Sequence, residues 1–291
     1  MEEDEALAAI YEWLPKAGDD AAVVDELIFA TDMLHERTDF PEGMTQYTAG
    51  WRAVGASLSD IAAMGAEATA AIAVYAAPQF EPDELHSFIE GARDVCELTD
   101  SQYVGGDLDQ HEELTVVSSV IGYTDTPTLR STASPGDAVA VTGTLGRTGA
   151  ALRLFEQGAH EQANALFQFE PRVTAGQALA PYASAMMDSS DGLARSLHQL
   201  ADASDCGFVI DWDQIPLDNT VRETAVTDAE ERELGVYTGE DFELVFTIPH
   251  NQIDTVRDAC SVPITIIGDV TDHGVMIDDQ PLPNRGFTHG Y

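Results

Sequence analysis

Lysine is nearly absent from this chain of 291 residues, where Lys16 is the only one. Lysine and arginine together number 13 against 52 aspartates and glutamates, a formal net charge of −39 at pH 7. Nucleic acid is excluded as an expected partner, because a phosphate backbone is bound by basic patches. The acids are spread from Glu2 to Asp279, and 44% of all residues are hydrophobic. This indicates a folded protein whose surface is adapted to concentrated salt, where screening removes self-repulsion, and not a disordered acidic chain.

Cysteine is also scarce. Cys96, Cys206 and Cys260 are an odd, widely spaced set, which excludes a disulfide framework and has no zinc-site spacing. No apolar run approaches the roughly 20 residues of a transmembrane helix, and residues 1–14 are too acidic for a secretory signal. We expect a cytoplasmic protein.

A phosphate-binding P-loop is missing as well. That motif needs Gly-x-x-x-x-Gly-Lys followed by Ser or Thr, and Lys16 is followed by Ala17-Gly18. The series Gly143, Gly146 and Gly149 follows an apolar run, but we interpret it as a tight turn with close helix packing. If the protein handles a nucleoside triphosphate, metal ions have to neutralise most of its charge.

What the chain does contain is a set of aspartates placed beside Gly, Ser or Thr. Four short clusters, each at the end of an apolar run, predict turns that project a carboxylate: Gly18-Asp19-Asp20, Thr31-Asp32, Gly105-Gly106-Asp107 and Asp188-Ser189-Ser190-Asp191-Gly192. Converging oxygen ligands of this kind suit Mg²⁺, which prefers a few carboxylates together with substrate phosphates. Phosphate chemistry is therefore the first hypothesis.

Two of these aspartate sites stand out. The run from Asp188 to Gly192 can be an Asx-turn before an N-capped helix, which accounts for one acid but not two. A strand-to-helix turn with two carboxylates and a hydroxyl is also a suitable cradle for metal and phosphate. Asp60 lies on a predicted helix between Leu58 and Ile61, where an unpartnered carboxylate is costly to bury and a metal ion would remove that cost.

Hydrophobic periodicity predicts alternating strands and helices in both halves, and hence an α+β (α/β) fold in two lobes. The Ser-, Thr-, Pro- and Gly-rich stretch from Arg130 to Asp137 predicts the boundary between domains 1–131 and 132–291. Helices are predicted at residues 2–14, Trp51–Met64, Pro82–Leu98, Val173–Tyr182 and Leu193–Ala203. Strands are predicted at Ala21–Val24, Glu26–Thr31, Thr69–Ala76, Glu113–Gly122, Ala138–Thr142, Ala185–Met187, Phe208–Asp211, Leu244–Ile248 and Ile264–Ile267. Thr238–Glu243 is predicted to be a charged loop.

In this order, the motifs resemble those of thiamine-monophosphate kinase, a member of the aminoimidazole ribonucleotide synthetase superfamily. The resemblance runs through nearly the whole chain, and its further pieces are Gly55–Ala66, Val141–Gly146 and Gly239–Leu244. It implies an N-terminal mixed sheet whose strands form a barrel in a homodimer, and a C-terminal α/β sandwich. The implied reaction is in-line transfer of the γ-phosphoryl of ATP to thiamine monophosphate, giving thiamine diphosphate with several Mg²⁺ ions.

The same resemblance assigns roles to individual residues. Its implied magnesium ligands are Asp20, Thr31, Asp32, Asp60, Asp107, Asp188 and Asp191, of which Asp60, Asp107 and Asp191 form the catalytic set. The implied ATP contacts are Gly106, Asp107, Arg130 and Ser190. The implied substrate contacts are Glu240, Phe287 and Asp39, where Asp39 occupies a position at which many family members have histidine.

Two alternatives stay open at this stage. The chain could be an ATP-dependent enzyme like aminoimidazole ribonucleotide synthetase, although the usual lysine-bearing N-terminal segment of that enzyme is missing. It could also be a non-catalytic protein that binds metal or nucleotide on the same scaffold. A selenophosphate synthetase is disfavoured because no cysteine precedes Cys96.

Overall fold

The computed structural model describes residues 17–287 together with Ile10, Trp13 and Leu14. The helix predicted at residues 2–14 therefore lies largely outside the described residues. In the first half, the strands are β1 (Ala22–Val24), β2 (Leu27–His35), β3 (Glu67–Ala77), β4 (Gln102–Gln110) and β5 (Thr115–Tyr123), and the helices are α1 (Glu36–Asp39), α2 (Gln46–Ala63) and α3 (Pro82–Leu98).

These five strands form one mixed sheet in the order β1-β2-β5-β3-β4, antiparallel except for the β3–β4 pair. One face of the sheet is covered by α2 and packs alanines and β-branched residues against it. The opposite face is open and carries exposed apolar side chains, among them Phe29, Met33 and Ile72. Period-two alternation thus gives this sheet two apolar faces, of which the described chain covers one.

The second half forms a seven-stranded sheet in the order β12-β11-β8-β10-β6-β9-β7. Its strands are β6 (Ala138–Thr142), β7 (Ala185–Asp188), β8 (Gly207–Ile210), β9 (Leu244–Ile248), β10 (Ile264–Thr271), β11 (Val275–Ile277) and β12 (Gln280–Pro281). Its helices are α4 (Arg147–Glu156), α5 (His160–Phe167), α6 (Val173–Leu179), α7 (Leu193–Ser204), α8 (Asn219–Thr224), α9 (Asp228–Arg232) and α10 (Ile253–Ala259), with a π-helical turn at Glu233–Tyr237 and 3₁₀ turns at Trp212–Gln214 and His250–Gln252.

Helix α2 joins the two halves. It packs on β2, β3 and β5 of the first sheet, and it also contacts β7 and α6 of the second half. Its buried residues Val54, Leu58 and Ile61 share one core cluster with Met186 and Phe246. Small residues allow this close packing: a Cβ on Gly176 would lie 2.1 Å from the carbonyl oxygen of Ala62. Helix α2 therefore packs against both halves of the molecule.

The α/β class with two sheets is confirmed, and helix α3 has the predicted bounds. Two local predictions are wrong. Thr31-Asp32 is not a turn at a strand end, because β2 continues to His35 with Ala30 and Leu34 buried in alternation. Gly105-Gly106-Asp107 is not a turn either, but the middle of β4. Its glycine serves strand packing, since a Cβ on Gly106 would lie 1.7 Å from the carbonyl oxygen of Ala73 on β3.

Among the described residues, no helix has both the length and the apolar character needed to cross a membrane.

Candidate active site

Three carboxylates from separate elements meet where the two halves join. Asp20 precedes β1, Asp60 lies near the end of α2, and Asp188 is the last residue of β7. One oxygen from each lies within 4.8 Å of the other two. We call these three residues the carboxylate cluster. Like charges at this separation repel one another strongly in a buried setting.

Asp188 shows the electrostatic cost of the carboxylate cluster. Its side chain is 1% exposed, and its Oδ2 accepts a 2.6 Å hydrogen bond from the Ser59 hydroxyl. Its Oδ1 has no hydrogen-bond partner among the described residues. Burial raises the pKa of Asp188 to about 8, with the charge of Asp20 adding to the effect. Burial, followed by the charges of Asp188 and Asp20, also raises the pKa of Asp60.

Arg130 supplies one positive charge to the carboxylate cluster. Its Nε and Nη2 donate to the two oxygens of Asp20 at 3.1 and 2.6 Å, and its backbone N–H donates to Asp19 at 2.7 Å. Burial lowers the pKa of Arg130, but the charge and hydrogen bonds of Asp20 outweigh this, so the pKa is raised. One guanidinium among three carboxyl groups leaves Oδ1 of Asp188 without a hydrogen-bond partner among the described residues, and a hard divalent cation fits that donor set.

A cavity opens beside the carboxylate cluster. It is lined by Thr31, Asp32, Leu34, Ala56, Asp60, Ser190, Asp191, Glu240, Phe242 and Phe287. We call it the acidic cavity. Seven of these residues were predicted as site residues from sequence, so the structure brings together positions that are up to 256 residues apart along the chain.

Strand β2 contributes two neighbouring side chains, Thr31 and Asp32, which lie on opposite faces of the first sheet. Asp32 belongs to the partly buried row with Ala30 and Leu34, on the face that α2 covers. Thr31 is exposed on the other row, and its hydroxyl donates to the Ser118 carbonyl at 2.8 Å. The Thr31 hydroxyl is therefore already bonded to the sheet, whereas Asp32 lines the acidic cavity from the side of Asp60.

The turn after β7 and the loop before β9 are bonded together at the acidic cavity. The N–H of Glu240 donates to the Ser190 carbonyl at 2.6 Å, and the N–H of Phe287 donates to the Asp191 carbonyl at 3.0 Å. Glu240 and Phe242 have φ values of 66° and 54°, a left-handed conformation that non-glycine residues adopt at some cost. Gly239 is needed for the close approach, because a Cβ there would lie 2.4 Å from the Ser190 carbonyl oxygen.

The charged loop predicted at Thr238–Glu243 is a loop before β9, but its acids are paired inside the protein. Glu240 accepts a 2.8 Å hydrogen bond from Arg52 on α2. Glu243 is 2% exposed and is held by Arg172 through two hydrogen bonds of 2.7 and 2.6 Å. Each acid therefore has a specific partner far away in the chain.

Asp241 caps helix α4 from the same loop. Its oxygens accept hydrogen bonds from the N–H groups of Gly146 and Thr148 at 2.5 and 2.9 Å. The free N–H groups that would bind a phosphate are thus already satisfied. A Cβ on Gly149 would lie 2.8 Å from the Leu234 side chain. The interpretation of the glycine series as turn and helix packing is confirmed.

Asp241 also predicts a pH effect on stability. Burial raises its pKa to about 7, against the hydrogen bonds from Thr148 and Gly146. A folded-state pKa above the usual value of roughly 3.9 means that ionisation costs the folded state more than the unfolded state. The associated stability is complete below about pH 4 and is lost as the pH rises through about 7.

The test compares the wild type with Asp241→Asn, which does not titrate. We expect the free energy of unfolding of the wild type, relative to the variant, to decrease between about pH 4 and 7. Urea denaturation at constant KCl measures this difference at each pH. The contributions of the many surface carboxylates are the same in both proteins and therefore cancel. A difference that stays flat over this range would show that Asp241 is ionised throughout.

Asp39 lines a second cavity, which shares Glu240 and Phe287 with the first. The other lining residues are Arg37, Thr38, Phe40, Pro41, Thr148, Leu152, Phe167, Thr238 and Gly239. We call it the adjoining cavity. Asp39 is 6% exposed, and its Oδ2 accepts hydrogen bonds from the His35 N–H at 2.6 Å and the Thr38 hydroxyl at 2.9 Å. Its Oδ1 has no hydrogen-bond partner among the described residues.

Gly106 and Asp107 are not brought into the carboxylate cluster within one chain. They lie on the edge strand β4, where Asp107 pairs in register with Val74 of β3. Val74 alternates with the covered Ala73 and Tyr75, so Asp107 faces the open side of the sheet, as Met33 and Ile72 do.

Sequence reasoning missed three residues that organise the site: Arg52, Ser59 and Arg172. Arg52 carried a usable signal. It lies among Ala49, Ala53 and Ala56, whose helical spacing marks a buried stripe, and a cation in such a stripe needs a partner. Arg172 had no such signal, since nothing local distinguishes it from a surface arginine.

The sequence of the chain is similar to those of known proteins. Residues 18–124 match the family described as AIR synthase related protein, N-terminal domain, and residues 134–278 match its C-terminal domain. A thiamine-monophosphate kinase of Halobacterium salinarum is 52% identical over 291 residues, which covers 99% of this chain and 100% of that protein. The chain belongs to the thiamine-monophosphate kinase family.

More distant members of the thiamine-monophosphate kinase family are also similar over nearly the whole chain. The enzyme of Methanospirillum hungatei is 39% identical over 93% of this chain and 92% of its own. A solved structure, AaThiL complexed with AMPPCP and TMP, superposes with a TM-score of 0.89 at 27% identity, covering 99% of this chain and 97% of that one. The resemblance seen in the motifs and the expected enzyme class are confirmed, and the Halobacterium relative agrees with a halophilic surface.

Proposed function

We propose that this protein transfers the γ-phosphoryl group of ATP directly to the phosphate of thiamine monophosphate and so forms thiamine diphosphate. The observation that carries the proposal is the buried carboxylate cluster, which opens into the acidic cavity beside Ser190 and Asp191. Relatives that bear the name thiamine-monophosphate kinase support it, as does the related structure that holds AMPPCP and TMP.

The carboxylate cluster would hold Mg²⁺, with Asp32 and Asp191 as further ligands at the wall of the acidic cavity. Two or more ions bound there supply charge neutralisation for the phosphate oxygens. The unpartnered Oδ1 of Asp188 is the observation that supports this fit. Arg130, which the resemblance implies as an ATP contact, holds Asp20 in place through two hydrogen bonds, so we propose that it also orients a metal ligand.

The remaining task of the protein is to position two phosphate groups in line. The acceptor is already an ionised phosphate oxygen, so no strong general base is required, and catalysis rests on orientation and preorganised charge. Ser190 and Asp191 lie in the turn just before α7, whose N-terminus favours an anion. We propose that Gly106 and Ser190 contact ATP.

The acceptor heterocycle is proposed to lie between the two cavities. Glu240 and Phe287 line both. A phenylalanine ring attracts a cation over its face, which suits the thiazolium of thiamine monophosphate. Asp39 then faces the heterocycle from the adjoining cavity and accepts a hydrogen bond from the amino group of the pyrimidine.

Asp39→Asn tests this contact. The amide can offer one oxygen only, so either the His35 N–H or the substrate amino group loses its acceptor. We expect KM for thiamine monophosphate to rise about tenfold, the worth of one hydrogen bond to a charged group, while KM for ATP stays the same. Steady-state kinetics with Glu42→Gln, an exposed neighbour, is the control. An unchanged KM for the acceptor would remove Asp39 from the substrate site.

We propose that two copies form a homodimer through the open face of the first sheet. Phe29, Ile72 and Met33 are 42%, 45% and 48% exposed on that face, which is unusual for a row of large apolar side chains. Asp107 lies on the same face. Its proposed roles as magnesium ligand and ATP contact then belong to a site that the second copy completes.

Charges on the open face should separate the two copies. Met33→Glu combined with Ile72→Glu is expected to convert a sedimenting dimer to a monomer, because like charges would be buried against an apolar surface. Val226→Glu is the control, since Val226 is 85% exposed elsewhere and should have no effect. A wild type that sediments as a monomer at micromolar concentration would contradict the proposed dimer.

The alternatives differ in the product that they form. Purified protein in molar KCl with Mg²⁺, ATP and thiamine monophosphate should give thiamine diphosphate and ADP, as measured by chromatography. An enzyme like aminoimidazole ribonucleotide synthetase would leave thiamine monophosphate unchanged, and a binding protein would leave ATP unchanged. Either result, from folded protein, would overturn the proposed reaction.

A further inference from the structure

Arg52 is a buried cation that links the two halves of the molecule. It lies on α2 with 2% of its surface exposed. Its Nη1 donates to the Phe167 carbonyl at 2.7 Å, and its Nη2 donates to Oε2 of Glu240 at 2.8 Å. The two contacts lie 115 and 188 residues away along the chain. A buried charge is tolerated only with good partners, and both partners here come from the second half.

Aromatic rings fix the plane of this guanidinium. Its central carbon lies 3.6 Å from the centre of the Phe167 ring, and the rings of Phe169 and Phe242 lie 5.4 and 5.7 Å away. Those two rings stack on each other at 4.2 Å. A cation on the face of an aromatic ring is stabilised when both are desolvated. The direction of Nη2 toward Glu240 is therefore set by packing.

The partner carboxylate lies where the acceptor is proposed to bind. Glu240 lines both the acidic cavity and the adjoining cavity. Its backbone is left-handed with φ of 66° and is bonded to Ser190. The side chain is 18% exposed, and it lines both cavities while its Oε2 accepts the hydrogen bond from Arg52.

We propose that Arg52 is a positioning residue, which holds the Glu240 carboxylate in the orientation that contacts the acceptor heterocycle. This inference rests on the proposed function. A lysine cannot replace this arginine fully, because a single ammonium lacks the planar fork that reaches Phe167 and Glu240 together.

The experiment is a double-mutant cycle with Arg52→Gln, Glu240→Gln and the double variant, together with Arg52→Lys. Arg153→Gln is the matched control, since Arg153 is 38% exposed and pairs with Glu156 outside the cavities. We expect Arg52→Gln to raise KM for thiamine monophosphate at least tenfold and KM for ATP less than twofold. The double variant should be no worse than Glu240→Gln alone, and Arg52→Lys should be intermediate.

Effects of Arg52→Gln and Glu240→Gln that multiply in the double variant would overturn the inference. So would a variant that loses thermal stability and kcat with no change in KM for the acceptor, because that is a purely structural role. If Arg52→Gln does not fold, Arg52→Lys and Glu240→Gln replace it in the test. Both should raise KM for thiamine monophosphate and leave KM for ATP nearly unchanged, and any other result would overturn the inference.

A wild type that makes no thiamine diphosphate would overturn the proposed function separately. In that case, calorimetric titration measures the affinity of each variant in the cycle for thiamine monophosphate. A coupled loss of binding in the two single variants would still support Arg52 as the residue that positions Glu240. Absence of binding by the wild type, or independent effects, would overturn it.

Discussion

Asp60→Asn should lower kcat by about 30- to 1000-fold, the equivalent of roughly 2–4 kcal/mol in transition-state stabilisation. In the absence of Mg²⁺, the same change should raise the melting temperature. Both effects have one cause, because the carboxylate cluster places three acids within 4.8 Å of one another. Their repulsion destabilises the metal-free fold and favours the binding of cations. Asp191→Asn should reduce kcat to a similar extent.

The measurement is paired turnover and thermal unfolding, each with Mg²⁺ and with chelator. Asp258→Asn is the matched control, because it removes the same charge from an exposed position on α10 and should change neither quantity. Near-wild-type turnover in Asp60→Asn would remove Asp60 from the catalytic set. A melting temperature that falls in the absence of Mg²⁺ would show that the cluster is not strained by repulsion.

Arg172→Met should destabilise the protein by about 3–5 kcal/mol, the usual cost of leaving a buried charge without its partner. Arg172 binds Glu243 through two hydrogen bonds, and the Thr142 hydroxyl, which donates to Glu243 at 2.6 Å, cannot replace a cation. Because Glu243 ends the loop that carries Glu240, this ion pair also holds the wall of the acidic cavity.

Urea denaturation in molar KCl measures the change in stability. Arg93→Met is the control: Arg93 is 58% exposed and forms a helical pair with Glu97, so we expect at most about 0.5 kcal/mol. The double variant Arg172→Met with Glu243→Met should recover much of the lost stability, since an apolar pair of similar volume is often tolerated. A double variant as unstable as Arg172→Met alone would contradict this account of the ion pair.

The motifs named residues that the structure brings together where the reason for singling them out is local. Asp188 and Asp191 stand out because two acids and a hydroxyl follow one short strand, and the structure places that strand beside α2. Asp60 stands out because it interrupts an apolar helix face. In both cases the cost of burying an unpartnered carboxylate is visible from the neighbouring residues.

Other features depend on pairs that sequence patterns do not show. Arg52 and Glu240 are 188 residues apart, and no local pattern connects them. Gly105-Gly106-Asp107 has the composition of a turn, but β3 offers a partner edge and Gly106 fits close to it, so tertiary pairing prevails over local propensity. The open apolar face of the first sheet also follows from strand register rather than from any single motif.

We propose direct transfer of a phosphoryl group from ATP to thiamine monophosphate at the carboxylate cluster. The measurement is transfer of label from γ-³²P-ATP in molar KCl, with the wild type and Asp60→Asn side by side. We expect the label in thiamine diphosphate, with one ADP formed for each, abolished by chelator and restored by Mg²⁺. Label that appears in inorganic phosphate or on the protein, with no labelled thiamine diphosphate, would contradict direct transfer.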